Sequence, residues 1–413
     1  MANAEEPTVY LKESKGKFQL IRNGAPFYMY GAAAEAGYLK ELKAAGANTA
    51  RIYDTVNLRS TLDQAHDLGL AVVVDIPMPK HVSDAEFYDN IDLFETLHVK
   101  VAEVVSRHKD HPALLYWNLG NELYYPYLYK NTKFHERFGV LVDLIHELDP
   151  NHPVSTTTIG ANKLRVLSIT WKTPQLDFVS FNSFGSLSTF SERLKPLTPL
   201  WRGPHVITEW GVNGPWEAPL TLWGAPIEET STKKAEQVSE RYRDYIHPLK
   251  DNNSLGSFVF YWGQKNEITP TWYSLFDENH MRSQTVFELE NIWKGMEREF
   301  PGPVLRYLLL EEKGALDNIV LTPSQLVTAQ VYLYDQAPSD YTYHWEIKEE
   351  SWYAYHISKT IAGINFDQMD KTVSFKTPAA EGPYRLHLKI TNNTGYYAAA
   401  NIPFYVLAPD NEN

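Results

Sequence analysis

Two glutamates are the residues of this chain best placed to do chemistry. Glu122 closes the run Leu115-Tyr116-Trp117-Asn118-Leu119-Gly120-Asn121-Glu122, an apolar stretch that ends in a Gly-Asn-Glu corner. Glu209 closes a second apolar run, Val206-Ile207-Thr208-Glu209, 87 residues further on (209 minus 122). A carboxylate at the last residue of a buried strand is badly placed for a core and well placed to meet something outside it. Two of them meeting on one face can cleave a glycosidic bond. One protonates the leaving oxygen, and the other attacks the anomeric carbon or activates water. Like charges held about 5 Å apart push one pKa up, so that one carboxyl stays protonated near neutral pH and serves as the acid.

The elements that must bring these ends together appear as a repeated strand-then-helix rhythm. Residues 8–30 read as short strands with a turn at Asn23-Gly24, a strong hairpin signal. Strands follow at 27–31, 48–53, 71–76, 115–122, 154–158, 176–182, 205–209 and 257–262. Helical patterns stand after them at 38–42, 58–68, 91–108, 135–148, 163–169, 188–194, 233–249 and 287–296. Ala71-Val72-Val73-Val74-Asp75-Ile76 is nearly continuous in β-branched residues, as a parallel strand buried on both faces must be. Eight such pairs in about 270 residues predict a TIM (β/α)8 barrel, whose active site lies at the C-terminal ends of the strands. Glu122 then ends strand 4 and Glu209 ends strand 7. An open doubly wound sheet is the other arrangement of this rhythm, but no Gly-x-Gly-x-x-Gly or Gly-Lys-Ser/Thr loop follows an early strand.

The pattern changes at Phe300-Pro301-Gly302-Pro303. Short alternating strands at 329–334, 341–346, 371–375, 384–391 and 398–406 predict a small β-sandwich of the immunoglobulin type. The expected organisation is an N-terminal strand over 1–17, a catalytic barrel over 18–300 and an accessory sandwich over 310–408. The accessory domain reads as a rigid spacer.

Composition narrows the partners. The 413 residues carry a net charge of −13, which disfavours nucleic acid and anionic membrane surfaces as partners. Aromatic residues make up 13%, with 11 Trp and 26 Tyr, the residue types whose faces stack on pyranose rings. There is no Cys, hence no thiolate metal site and no Cys nucleophile, and the histidines lack paired ligand spacing. We expect no metal and no cofactor. No apolar run approaches the ~20 residues of a membrane helix. The start Met1-Ala2-Asn3-Ala4-Glu5-Glu6-Pro7 has no signal-peptide pattern and is compatible with a mature start behind an added Met-Ala, so the expectation is an exported protein, periplasmic, outer-surface or secreted, with a cytoplasmic one as the alternative.

Trp117-Asn118-Leu119-Gly120-Asn121-Glu122 and Val206-Ile207-Thr208-Glu209-Trp210-Gly211 resemble the acid/base and nucleophile motifs of the retaining clan A glycoside hydrolases. The first is closest to its form in the family 2 barrels. The resemblance covers residues 18–298 and implies that Glu122 is the general acid/base and Glu209 the nucleophile of a covalent glycosyl-enzyme. It further implies that Asn121 reads the sugar 2-hydroxyl, that Arg51 keeps the nucleophile ionised, and that Trp262 forms the aromatic floor under the cleaved sugar. One position departs from the family 2 pattern: Asn182-Ser183-Phe184 has Phe where a Tyr touching the nucleophile is usual, so Tyr53 or Tyr261 is expected to stand in.

Substrate clues are fewer. Asn48-Thr49-Ala50-Arg51-Ile52-Tyr53 is similar to a strand of families 17 and 72, which act on β-1,3-glucan. Tyr124, Tyr125, Tyr127, Trp216 and Trp272 would offer stacking platforms, with Gln264 and Glu267 in a polar loop after strand 8. Asp54, Asn182 and Trp210 complete the candidate contacts, while Asp75 is either a hydroxyl ligand or a buried partner of Arg51. The resulting expectation is a retaining β-glycosidase on a β-glucan, hydrolase or transglycosylase. The alternatives are an exo-acting β-galactosidase or β-glucuronidase, and a non-catalytic carbohydrate-binding barrel.

Overall fold

The computed structural model describes residues 8–80, 83–130, 132–334, 340–351, 358–367 and 370–408. It divides into two compact units, one of Met1–Gly211 with Arg241–Trp262, the other of Val212–Glu240 with Gly263–Asn413.

The first unit opens with an antiparallel sheet, β1 (Val9–Ser14), β2 (Lys17–Arg22) and β3 (Ala25–Pro26). Asn23 and Gly24 join β2 to β3 with φ of 51° and 76°, the doubly positive geometry that makes Asn-Gly a hairpin turn. Eight parallel strands then close into a barrel: β4 (Met29–Ala34), β5 (Thr49–Ile52), β6 (Ala71–Ile76), β7 (Leu114–Asn121), β8 (Val154–Ile159), β9 (Phe178–Asn182), β10 (His205–Trp210) and β11 (Ser254–Trp262). Each is followed in the chain by a helix, in order α1 (Leu39–Ala44), α2 (Leu58–Asp67), α3 (Ile91–His108), α4 (Lys133–Leu148), α5 (Lys163–Lys172), α6 (Phe190–Leu194), α7 (Ser231–Arg241) and α8 (Gln284–Lys294).

All six residues of β6 are buried, as the nearly continuous β-branched run requires. Val9 and Leu20 of the N-terminal sheet share one core with Met29, Phe178, Val206 and Leu255, which lie at or near the first residues of their strands. The sheet thus floors the barrel at its N-terminal end, leaving the other end for chemistry. Local signals set the helix starts: the Asn90 side chain accepts the Leu93 amide ahead of α3, and Asn162 accepts that of Arg165 ahead of α5. The helix expected over 233–249 stops at Arg241 and continues as tighter and wider turns to Asn252, with Pro248 unable to donate to a regular helix.

The second unit holds two antiparallel sheets. One orders β13 (Leu305–Leu310), β15 (Leu326–Leu333), β18 (Thr372–Lys376) and β17 (Phe366–Asp367). The other orders β12 (Arg282–Ser283), β20 (Tyr396–Val406), β19 (Gly382–Thr391) and β16 (Thr342–Glu349), with β14 (Val320–Leu321) beside β20. Leu308, Val327, Val331 and Phe375 from the first sheet share a core with Trp345, Leu386, Leu388 and Phe404 from the second, which makes this a sandwich. The strand β13 escapes alternation-based reading because Leu308-Leu309-Leu310 is uniformly apolar.

Candidate active site

Every residue of the catalytic constellation lies at the C-terminal ends of barrel strands within the first unit. Strand pairing is irregular at both glutamates. The β7–β8 register shifts between Asn118 and Asn121, and the β9–β10 register shifts between Ile207 and Glu209. Irregularities of this kind re-aim side chains at barrel rims. Glu122 has φ 56°, a left-handed conformation a glutamate rarely adopts, with its amide held by the Thr157 carbonyl at 3.0 Å. Two residues earlier Gly120 has φ 77°, and a Cβ there would stand 2.5 Å from Leu123 Cδ1. Only glycine fits that corner, which explains the Gly-Asn-Glu spelling.

Arg51 of β5 is the hub, fully buried. Its Nε and Nη2 donate to the two oxygens of Asp75 at 3.0 and 2.7 Å, a bidentate grip. Nη1 donates to Glu209 Oε1 at 3.1 Å and to the Thr208 carbonyl at 3.1 Å, and Nη2 donates to Asn121 Oδ1 at 2.8 Å. Tyr53 Oη donates to the same Glu209 Oε1 at 2.8 Å, while the guanidinium lies 4.6 Å from the Tyr53 ring centre. Tyr53 is therefore the hydroxyl that stands in for the tyrosine absent at Phe184. Asn182 Nδ2 donates to Glu122 Oε1 at 2.9 Å and to Asn121 Oδ1 at 3.0 Å, so one amide ties the acid to its neighbour. The other end of Asn182 accepts Thr208 Oγ1 at 3.0 Å.

The electrostatics correct one expectation. Burial pushes the Glu209 carboxyl up to about 7, with Arg51 pulling it down and Glu122 pushing it further up. Arg51 favours the ionised form, as expected, but burial outweighs its pull, and its bidentate contact goes to Asp75. Burial also raises Asp75, against the pull of Arg51. Two buried carboxylates share a single cation, so the pair takes up a proton more readily than an exposed carboxylate would. Tyr53 is held well above its usual value, first by burial and then by Glu209, and remains a donor.

Four further expectations are corrected. Trp262 has 0% exposure and its Nε1 donates to the Tyr38 carbonyl at 3.2 Å, so it fills the core and has no face to offer a sugar. The aromatic surface beside Glu209 is instead Tyr53, packed at 6.4 Å against both Phe260 and Tyr261, with Phe184 edge-on to Phe260 at 5.7 Å. Trp210 is buried next to Tyr242, 6.1 Å away, behind the strand that carries Glu209. Tyr125 is buried among Phe134, His135 and Phe138 with its hydroxyl on Thr173. Trp272, in the second unit, is buried with Nε1 on the Asn213 carbonyl at 2.9 Å.

Other candidates remain on the surface. Tyr124 is 62% exposed with the Arg165 guanidinium 5.6 Å from its ring, and Tyr127 and Tyr129 lie near-parallel at 5.8 Å in the same loop after β7. Asp54 is exposed and its carboxylate accepts the Val56 amide at 2.8 Å. Trp216, Gln264 and Glu267 belong to the second unit. Trp216 is 63% exposed, Gln264 is tied to the Asp277 carbonyl, and Glu267 pairs with Lys265 at 3.3 Å. Asp75 takes the second of its two expected roles, a buried partner of Arg51, whereas Thr157 and Thr208 were the members of the Arg51 cage hardest to foresee, since each is an ordinary strand residue until the barrel closes.

Residues 38–215, under half of the chain, match the family model described as glycosyl hydrolases family 2, TIM barrel domain. No curated protein matches the chain. Among solved structures, the endo-β-1,4-mannanase of Thermotoga petrophila superposes with a TM-score of 0.50 at 14% identity, covering 94% of this chain and 99% of that one. The β-glucuronidase of Bacteroides uniformis gives 0.53 at 14% identity, over 97% of this chain and 48% of that one. The β-glucuronidase of Bifidobacterium dentium gives 0.53 at 17% identity, over 70% and 49%. The chain thus spans about half the length of these two glucuronidases, and at such identities the likeness is one of fold. No helix among the described residues is long and apolar enough to cross a membrane. The closed eightfold barrel and the family 2 TIM-barrel match over residues 38–215 make this barrel similar to those of the glycoside hydrolases.

Proposed function

We propose that the chain is a retaining β-glycosidase that cleaves a β-glucan, with β-1,3 linkages as its substrate. The carrying observation is the asymmetry of Glu209: Arg51 and Tyr53 both donate to Oε1, which leaves Oε2 to attack an anomeric carbon. In the first step Glu122 gives its proton to the leaving oxygen as Oε2 bonds to the sugar. In the second, Glu122 takes a proton from water or from a sugar hydroxyl, and that oxygen releases the sugar from Glu209. Asn121 supports the same reading. Its oxygen accepts Arg51 and Asn182, so its Nδ2 is the end turned to a substrate hydroxyl.

The β-1,3 assignment rests on the Asn48–Tyr53 strand, two of whose residues bond Glu209, and the exposed Tyr124, Tyr127 and Tyr129 favour a substrate of several sugar units. The match to the family 2 barrel favours a second reading, an exo-acting enzyme on a β-galactoside or β-glucuronide. A screen over laminari-oligosaccharides, β-1,4- and mixed-linkage glucans, β-mannan and aryl β-galactosides and β-glucuronides separates them. Laminari-oligosaccharide cleavage, with products longer than the substrate if a sugar is the acceptor, supports the first. Turnover of only the aryl galactoside or glucuronide replaces it with the second. Glu122→Gln and Glu209→Gln should each lower turnover by about a thousandfold, and full activity in either variant would remove that residue from the mechanism.

A further inference from the structure

The barrel carries a second cleft at its N-terminal mouth, away from the two glutamates. It encloses about 570 Å³, within the range of small-ligand sites. Its walls come from the β1–β2 turn (Lys15, Lys17), the segment after α6 (Lys195, Trp201, Arg202) and the loop before β11. His205, the first residue of β10, lines it, and Glu209 ends that strand about 13 Å away at roughly 3.3 Å per residue.

Three features set this cleft apart. First, its lining holds four cations, Lys15, Lys17, Lys195 and Arg202, against Asp251 alone, in a chain of net charge −13. Second, Trp201 is half-buried and packs against Gly203, where a Cβ would come within 2.6 Å of the indole nitrogen, so a side chain at 203 would displace the ring. Third, His205 is 2% exposed, and neither ring nitrogen makes a hydrogen bond of normal geometry, although the Gly203 backbone lies close enough to lift its basicity slightly. Its ring is boxed by Phe181, Phe190 and Trp201 at 6.1, 5.8 and 6.3 Å, and burial keeps it neutral, with a pKa lowered to about 4. A buried polar ring without partners is costly unless something else satisfies it.

We propose that this cleft is a second saccharide site, selective for a sugar bearing a carboxylate: the ring stacks on Trp201, the carboxylate meets Lys195 and Arg202, and a hydroxyl reaches His205. The ligand class rests on the carbohydrate-handling function above, but the site is distinct from the catalytic pair and is tested without turnover.

The experiment titrates trigalacturonate into the full chain by calorimetry and tryptophan emission, with laminaritriose and inorganic sulfate as comparators. Wild type and Glu209→Gln should bind trigalacturonate alike, and laminaritriose should not displace it. The exposed pair Lys195→Glu/Arg202→Glu should weaken binding about tenfold or more while leaving the circular dichroism unchanged. Trp201→Ala should weaken it as well and remove the emission change. No binding at millimolar ligand overturns the proposal, and so does binding indifferent to the Lys195/Arg202 charge reversal or matched by inorganic sulfate. Absence of β-glucanase activity would refute the proposed function without altering any of these readouts.

Discussion

Arg51 gives its bidentate contact to Asp75, at 2.7 and 3.0 Å, and only a single one to Glu209, at 3.1 Å. That division bears on the charge state of Glu209, the nucleophile proposed above. A cation wholly committed to Glu209 would hold it ionised across the acidic range, whereas a shared one leaves burial in control.

The pH profile should show this directly. Glu209 must be ionised to attack, and its carboxyl is raised to about 7, so kcat/KM should climb with pH through about 7, and the need for a protonated Glu122 should bring it down again at higher pH. Asp75 is itself among the groups that raise Glu209. Asp75→Asn removes that charge and frees Arg51, so the acid limb should move to lower pH. An unmoved or higher limb in the variant would show that Asp75 does not compete for Arg51.

Tyr53→Phe should act in the opposite sense. The hydroxyl bond from Tyr53 lowers the Glu209 pKa, so its loss should move the acid limb upward and cut kcat about tenfold. The ring and its stacking on Tyr261 remain, so the melting temperature should change little. A profile that coincides with wild type would dismiss Tyr53 as a partner of the nucleophile.

Gly120→Ala should disturb both stability and turnover. The substitution places a Cβ at φ 77° and 2.5 Å from Leu123 Cδ1, at a cost of about 1–3 kcal/mol. Denaturant unfolding should show a lower midpoint. Activity should fall further than stability explains, since Glu122 lies two residues on. Wild-type kcat in the variant would separate the Gly120 corner from the placement of the acid.

The sandwich unit should be sensitive to acid through Glu228. It is buried with Lys234, Thr269, Thr271 and Asn401, and its partners hold the carboxyl down at about 2 despite burial. A depressed carboxyl contributes stability that is present above its unfolded value near 4.5 and lost as pH falls through about 2. The wild type should therefore lose about 3 kcal/mol between pH 5 and pH 2 from this group. Chemical denaturation across that range compares it with Glu228→Gln, which should start less stable, with Lys234 left unpaired, and show a flatter dependence. Equal slopes would rule Glu228 out.

The sequence by itself determined the barrel and the strand ends on which the two glutamates sit. A nearly continuous β-branched run such as 71–76 reads as a strand buried on both faces, and the Gly-Asn-Glu corner spells out a left-handed turn that glycine opens. Tyr53 was legible as one of two candidates, because a missing hydroxyl at Phe184 had to be replaced from somewhere. What only the tertiary structure decided is the pairing across the barrel. Arg51, Asp75, Asn121, Asn182 and Glu209 come from five strands, and which of them Arg51 grips depends on ångström distances that no local spacing encodes. The same holds for aromatic rings. Trp262 and Tyr261 are adjacent in sequence and equal as stacking residues, yet closure of the barrel buries the first and sets the second against Tyr53.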